Sequence, residues 1–590
     1  MLDKIQDTKD NRHWSVVTLL SLGLFAVWLV ADGIHWQGYP CFAWKTSSAI
    51  RIGYLAVLLA TVIYFCRLLV NVIRNPERFY RKTILLAMVS FVLLRIIIGS
   101  AIPLLGDEAY HWIWPQRLDW CYYDHGGLLG WVSYPFFLMG KDVFFARLGP
   151  IVMGTFTAAL VWYFIRWLTN DRRIANVALA GLMAIPVGLL ATTILFTDTP
   201  LAPIWLGCMW VTLLAVREQK IRWWIVLGLL LGLGLNCKFL IFGLFVMIGF
   251  YLLIDPRGRA ALKTPGPYLA IILALIVATP MLWWNATHNW QTFAFNFGKR
   301  GHVLGFHPSG FIGFCMQQFM LVGPVLLVWS FIYPPIWGWR KLREKKYEMV
   351  MLVLGGYVPL VTYALLKLSR PLNSSVINWI APLFTIIVMI LAIAGTESIR
   401  SRKWCRASLF AGMVVSCLFV GTLIGQFFIG PDLTRQVVGS KFSEKKVDRY
   451  IADMFGWYPI GQEVDQLLEK YNREHSTFAM ARTYMHAAHL TEYCKTIPLG
   501  LSMGNDSMYG RCFDYWNEPA RHLGWDCLFV ANHPISSGIM DELKASFESV
   551  RELSLAERNP QNDVGKLFHF YLCRNARELP GAADVKKRAK

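Results

Sequence analysis

Acidic side chains are scarce in this 590-residue chain: 38 Asp and Glu stand against 58 Lys and Arg, and charged residues make up only 16% of the total. With 55% hydrophobic residues and a mean hydropathy of +0.41, the composition excludes a soluble globule of this size. The shortage of acids is also uneven. Residues 431–590 carry 21 basic and 21 acidic side chains, which leaves 37 basic and 17 acidic ones in the first 430 residues. A basic soluble domain is therefore missing, and with it the case for a nucleic-acid partner. Other absences narrow the function further. There is no Walker or dinucleotide-binding motif, so no nucleotide cofactor is expected. There is no solenoid repeat and no low-complexity linker. No small-residue cleavage site follows the first apolar run, which is expected to stay in place as an anchor.

What the chain has instead is a series of apolar runs of 17–25 residues between Trp14 and Gly430. Each is long enough to cross a hydrocarbon layer of about 30 Å. The basic excess falls in turns between them: Arg74/Arg78/Arg81/Lys82, Arg166/Arg172/Arg173, Arg217/Lys220/Arg222, Arg257/Arg259/Lys263, Arg340–Lys346 and Arg400/Arg402/Lys403/Arg406. All can face the cytoplasm if the chain makes roughly thirteen crossings. The expected fold class is an all-α polytopic membrane protein with a C-terminal extracytoplasmic α/β domain. Its parts would be an N-terminal extension of two helices (1–82), a membrane body (83–430) and the soluble module (431–590). The apolar stretch Trp223–Ile254 is too long for one span and is read as two, turning at Asn236-Cys237-Lys238. In the module, strands are expected at Thr477–Ala481, Cys527–Ala531 and Leu567–Cys573, with helices at Ile460–Tyr471 and Met485–Cys494. Cys494, Cys512, Cys527 and Cys573 would face an oxidising compartment, where one or two disulfides are expected. The module shows no catalytic motif of its own.

This path places the acids at the mouths of spans on the outer side. Asp107 and Glu108, in Gly106-Asp107-Glu108-Ala109-Tyr110, follow the run Thr83–Leu105. A pair of interfacial acids, or a salt bridge to Arg117 or Arg147, is the simpler reading. The functional one is a general base or metal ligand at the membrane surface. Tyr122-Tyr123-Asp124-His125 follows in an aromatic loop that suits the membrane interface. Asp107, Asp124 and His125 could supply oxygen and nitrogen to one divalent cation of unassigned identity, with Asp124 as the metal candidate. Asp198, before Thr199-Pro200, reads as a helix N-cap, a role compatible with catalysis. Lys238, Lys299, Arg300, His302, Lys367 and Arg370 would be cations on the outer side, against the positive-inside trend. A phosphate at that surface would explain them together. Acids for activation and cations for phosphate beside lipid point to a lipid-phosphate substrate.

At these residues the chain resembles the GT-C superfamily of polyprenyl-phosphate-sugar-dependent glycosyltransferases. The likeness is greatest to the bacterial branch related to dolichyl-phosphate-mannose protein mannosyltransferases and to the lipid A aminoarabinose and galacturonic acid transferases. Six stretches carry it in order: the Gly106–Tyr110 cluster, Tyr123-Asp124-His125, Thr197–Leu201, Gly232-Leu-Gly-Leu-Asn-Cys-Lys238, Trp284-Asn285-Ala-Thr-His288-Asn-Trp290 running into Phe293–Arg300, and Asn378-Trp379-Ile-Ala-Pro382. Arg482-Thr-Tyr484 and Tyr515-Trp516 look like that branch's periplasmic module. The resemblance implies a GT-C fold whose catalytic acid sits where Asp107 does, with Glu108 beside it and Asp198 as a second active-site acid. Asp124 falls near the position where some relatives place a metal-binding acid. It also implies that Tyr123, His125, Lys238, Lys299, Arg300, His302 and Arg370 bind substrate, with Lys238, Lys299 and Arg300 on the donor phosphate. Gly126-Gly127 departs from the proline that relatives show there. The expected activity is transfer of a sugar from a polyprenyl phosphate to lipid A, lipopolysaccharide core or another envelope glycan, in the inner membrane of a bacterium. The alternatives are a protein acceptor or a glycolipid transporter.

Overall fold

The computed structural model describes residues 81–299, 305–368, 381–397 and most of 443–579, with a few turns between 403 and 436. The two apolar runs before Thr83 and the stretch Asn378–Ile380 lie outside the described residues. Among the described residues, four helices are long and apolar enough to cross a membrane: Val143–Thr169, Asp198–Glu218, Gly266–Thr287 and Tyr347–Lys367. Shorter apolar helices include Ile84–Gly99, Leu128–Met139, Ile221–Leu235, Ile241–Ile254 and Pro382–Glu397. The stretch read as two helices is divided as expected, with Ile221–Leu235 ending just before the Asn236–Lys238 turn and Ile241–Ile254 following it.

Helix Val143–Thr169 shows why such segments hold together in lipid. Ala146, Pro150, Gly154, Thr157, Ala158 and Val161 recur at helical spacing and are buried, whereas Val152, Phe156 and Tyr163 stay about half exposed on the other side. Small residues on the inner stripe allow close approach, and the large apolar ones meet the acyl chains. Helices Ile221–Leu235 and Gly266–Thr287 pack the same way. A methyl group on Gly232 would sit 2.5 Å from Val277. Asn236 seals the end of that contact by donating from Nδ2 to Val277 O at 2.8 Å and Gly232 O at 3.0 Å. One cation inside an apolar helix is fully satisfied. Arg95 donates to Ile151 O (3.1 Å), Thr192 O (3.2 Å) and Thr155 Oγ1 (2.5 Å), as a buried guanidinium must.

Several basic turns gather at one end of the bundle. Gln219 Nε2 donates to Arg257 O (3.3 Å) and Arg257 meets Glu348 at 2.7 Å, joining three of them. Lys341 reaches Glu344 at 3.1 Å and Glu397 at 2.6 Å.

The C-terminal module is a five-stranded sheet in the order β2-β1-β3-β5-β4, with β1 Thr477–Ala481, β2 Leu501–Ser502, β3 Asp526–Ala531, β4 Phe547–Glu552 and β5 His569–Ala576. β1 runs parallel to β2 and β3, while β5 is antiparallel to β3 and β4. The expected strands are present, but the last starts later because Gly565–Leu567 forms a tight helical turn. The expected disulfides are not: Cys494, Cys512, Cys527 and Cys573 are all free, buried thiols. Cys527 and Cys573 are register neighbours across β3 and β5, and Cys512 accepts hydrogen bonds from another part of the chain.

The module seats on helix Gly106–Ile113 through helix Tyr484–Tyr493. Tyr110, Trp112, Trp114, Tyr484, Ala487 and Phe513 share one apolar cluster there. At its edge Glu492 lies near Asp142, Lys141 and Gln116, and burial, reinforced by Asp142, pushes its carboxyl up to about 8. A carboxyl raised on folding favours the native state while protonated and opposes it once ionised. Stability should therefore fall as pH rises from about 4.5 toward about 8. Glu492→Gln should melt above the wild type at pH 8–9 and match it near pH 4 in detergent thermal scans.

Candidate active site

Helix Gly106–Ile113 begins with two acids in its first turn, where the positive end of the helix favours them. Consecutive helical residues point about 100° apart, so the two carboxylates end in opposite surroundings. Glu108 is fully buried. Arg147 grips it with two bonds, Nε to Oε1 at 2.8 Å and Nη2 to Oε2 at 2.6 Å. Leu195 N (3.0 Å) and Leu105 N (3.2 Å) donate to the remaining lone pairs. Arg147 also donates to the carbonyls of Gly99, Ile102 and Pro103. Glu108 thus realises the salt bridge to Arg147 and braces the loop; it does not stand open beside Asp107. Asp107 points outward, with 43% of its side chain exposed.

The next acid is carried by a closed turn. Cys121 and Gly126 form a β-bridge, and Tyr122 N donates to His125 O at 2.8 Å. A clamp from the 284–296 segment holds this turn: Thr292 Oγ1 donates to Tyr122 O (3.0 Å), Asn296 Nδ2 to Asp124 O (3.0 Å) and Trp284 Nε1 to Asp119 Oδ2 (2.8 Å). The Trp284–Trp290 motif is therefore a support for the Asp124 turn. Gly126 lies against the Asn236 backbone, where a methyl group would be 2.2 Å from the carbonyl oxygen, and Leu128 N donates to that same oxygen at 2.9 Å. The glycines at the proline position let the turn dock on the Lys238 turn.

Asp124 is buried, and both of its oxygens are engaged. Arg511 Nη1 meets Oδ2 at 2.6 Å, and Tyr110 Oη, shared with Cys512, lies 3.4 Å from Oδ1. His125 Nε2 stands 4.0 Å from it. A divalent cation does not fit this arrangement: a guanidinium holds the position, and among the described residues no three His, Cys, Asp or Glu side chains converge on a common point. Tyr123 is buried against Phe295 and Tyr515, so it faces the protein interior.

Asp198 is the first residue of helix Asp198–Glu218, with Thr197 at the cap position that Asp198 was expected to fill. Its Oδ2 takes Lys238 Nζ at 2.5 Å, both side chains being buried. Its Oδ1 is buried without a hydrogen bond and borders a narrow cavity lined by Thr157, Gly188, Thr192, Thr199 and Pro382. Lys238 is thus committed to a carboxylate. Lys367 is buried, with its ammonium 5.5 Å from the Tyr363 ring. The Lys299 side chain and all of Arg300, His302 and Arg370 lie outside the described residues.

Three side chains were not anticipated. His111 sits among the acids, its Nδ1 3.1 Å from Leu195 O. Burial lowers its basicity, and Asp107 and Asp124 pull the other way. The other two come from the C-terminal module. Tyr484 Oη donates to Asp107 Oδ1 at 2.5 Å. Burial, opposed by Arg511 and reinforced by Asp107, raises this phenol well above its ordinary value and keeps it a donor. Arg511 lies 3.8 Å over the Tyr484 ring and 3.9 Å from Asp107 Oδ1. Burial works against its charge, but the neighbouring carboxylates Asp124 and Asp107 outweigh that and hold it protonated. The Arg482-Thr-Tyr484 motif was the one visible signal; nothing local marks Arg511.

Comparison with known proteins bears on the family and the fold. Residues 124–284 match the dolichyl-phosphate-mannose-protein mannosyltransferase family. The lipid A galacturonosyltransferase RgtD of Rhizobium johnstonii is 29% identical over 314 residues, covering 50% of this chain and 62% of that protein. The chain thus spans a little under two thirds of that relative's length. The fold is that of ArnT from Cupriavidus metallidurans. The crystal structure with undecaprenyl phosphate superposes with a TM-score of 0.55 at 15% identity, covering 85% of this chain and 99% of that one. The apo form superposes equally well, with a TM-score of 0.55 at 14% identity.

Two changes separate support from mere proximity. Arg147→Met leaves Glu108 buried without its counter-charge and should cost roughly 3–5 kcal/mol, against almost nothing for Arg473→Met at the surface. Gly126→Ala should cost about 1–3 kcal/mol through its collision with Asn236, while Gly249→Ala, with open space around it, is tolerated. Thermal melts of the four variants in detergent check both. Motif order, the family match over residues 124–284 and the fold together support a likeness to the GT-C polyprenyl-phosphate-dependent glycosyltransferases.

Proposed function

We propose that this chain moves a sugar from a polyprenyl phosphate to an extracytoplasmic acceptor on lipid A, lipopolysaccharide core or a related envelope glycan. One observation carries the reading. Of the three aspartates gathered at the site, Asp124 and Asp198 are buried and matched to Arg511 and Lys238, whereas Asp107 alone has an exposed side chain. An accessible carboxylate beside two neutralised ones is what a general base needs, because it must meet both water and substrate. The likeness to a lipid A galacturonosyltransferase, and to a fold that binds undecaprenyl phosphate, supports the donor class and a lipid acceptor.

In this reading Asp107 takes the proton of an acceptor hydroxyl as that oxygen attacks the anomeric carbon. The polyprenyl phosphate leaves with the bonding electron pair, and a single in-line displacement inverts the centre. Charge growing on the leaving phosphate requires cations fixed in advance. His125, largely buried beside Asp124, and Lys299, Arg300, His302 and Arg370 are the groups proposed for it. Lys238 is assigned instead to holding Asp198 in place. The active site and the C-terminal module face away from the cytoplasm, so that the basic turns lie on the inner side.

Asp107→Asn should lower transfer on the order of 10²–10⁴-fold in an assay with purified chain, undecaprenyl-phosphate-linked sugar and lipid A. Undecaprenyl phosphate binding should be unchanged. Transfer by the variant at near the wild-type rate would remove Asp107 from the mechanism.

A further inference from the structure

The C-terminal module reaches into the site with a guanidinium, and docking alone does not account for it. The seam between module and membrane body already has an apolar cluster of Tyr110, Trp112, Trp114, Tyr484, Ala487 and Phe513. Contacts of that kind hold two surfaces together without burying charge, and well-packed apolar groups often serve stability better than an ion pair. Arg511 is nevertheless placed there in a left-handed backbone conformation, φ 50°, that a side chain other than glycine seldom adopts. Its Nε is buried without a hydrogen-bond partner, an arrangement that stability alone does not favour. Strained backbone and an incompletely satisfied buried cation are features that collect at working sites.

We propose that Arg511 is a positioning residue of the transfer site, anchored by Asp124 and acting on Asp107, which makes the C-terminal module a functional part of the active centre. The inference rests on the reading of Asp107 as the base. The geometry distributes the guanidinium unequally between the two acids. Nη1 is in hydrogen-bond contact with Asp124 Oδ2 at 2.6 Å and only within electrostatic reach of Asp107 Oδ1 at 3.9 Å. Asp124 therefore fixes where the cation stands. Asp107 lies within the electrostatic reach of Arg511 but is not hydrogen-bonded to it. Tyr484, on which the guanidinium stacks at 3.8 Å, donates to the same Oδ1 and sets its direction. Among the described residues, the charged and titratable groups around Asp107 enter this balance. His111 lies on its own helix, Asp124 on the turn beside it, Tyr484 and Arg511 on the module, and the Asp198–Lys238 pair beyond His111.

The test reads Asp107 directly and needs no sugar donor. A water-soluble carbodiimide labels a carboxyl in its protonated form, and Asp107 is accessible while Asp124 and Asp198 are buried. The extent of Asp107 labelling is followed by mass spectrometry against pH on the full chain in detergent. Removing the cation disfavours the carboxylate, so Arg511→Ala should move the labelling midpoint up. Arg511→Lys should restore most of the shift. Asp124→Asn, which releases Arg511 toward Asp107, should move it down. Arg511→Ala leaves Asp124 buried without its partner, so the comparison is repeated as Arg511→Ala/Asp124→Asn against Asp124→Asn, where an upward shift is again expected. The acid limb of the transfer rate should move with each midpoint. A purely structural Arg511 would lower yield or melting temperature and leave every midpoint in place, and that result overturns the proposal. If the midpoints shift while Asp107→Asn transfers normally, the electrostatic coupling stands and the reading of Asp107 as base falls.

Discussion

Positions in this site are measured from one buried ion pair. Glu108 and Arg147 lie in the interior, where either charge alone would be prohibitive and where the pair persists only with its remaining donors and acceptors satisfied. They are: two backbone amides on the carboxylate, and three carbonyls from the end of the preceding helix on the guanidinium. This demand for complete satisfaction locks helix Gly106–Ile113 against helix Val143–Thr169 and against Leu195. Once Glu108 is turned inward, the helical repeat leaves Asp107 facing out, and one turn on, His111 also meets Leu195. The catalytic candidate owes its exposure to a neighbour whose own role is support.

The same logic governs the other acids. Asp124 and Asp198 are too deeply placed to carry an unmatched charge, and each has a cation within 2.6 Å. His111 stands among them, with burial disfavouring its charge. What remains is one exposed carboxylate in a neighbourhood whose other charges are matched. On the proposed reading, a substrate would meet a single accessible acid instead of a diffuse negative surface. Such an arrangement also explains why acids are rare along the membrane body: each one there needs a dedicated partner.

The parts of this design that could be read from the chain were those written locally. Apolar runs and basic turns indicated a helical membrane body, and the excess length of Trp223–Ile254 indicated its division at Asn236. Short β-rich runs marked three of the five strands. β4, Phe547–Glu552, escaped because it is an edge strand whose exposed, charged residues resemble a helix surface. Asp107 and Glu108 could not be told apart in the sequence, since their difference is a rotation about a helix relative to an arginine 39 residues away. Tyr484 and Arg511 were beyond reach for the same reason at larger scale. They join acids that precede them by 377 and 387 residues, and only the closed tertiary structure brings them together. The thiols misled differently: an oxidising compartment permits disulfides, but bonding also requires paired geometry. Cys512 is instead engaged by Tyr110 and the Tyr123 amide.

The glycines at positions 126 and 127 connect these observations. A proline there would present a ring where Gly126 instead allows the Asn236 carbonyl to approach within a distance that no side chain permits. Because Leu128 N also bonds that carbonyl, the turn carrying Asp124 and the turn carrying Lys238 share a backbone contact. Asp124 leads from there to Arg511 and the module, and Lys238 leads to Asp198 and the cavity bounded by Thr192 and Pro382. The two ion pairs are thus mechanically joined through main chain, which transmits displacement more faithfully than flexible side chains do. The loss of proline from this turn therefore need not weaken the site, because backbone docking supplies the rigidity that the ring would have given.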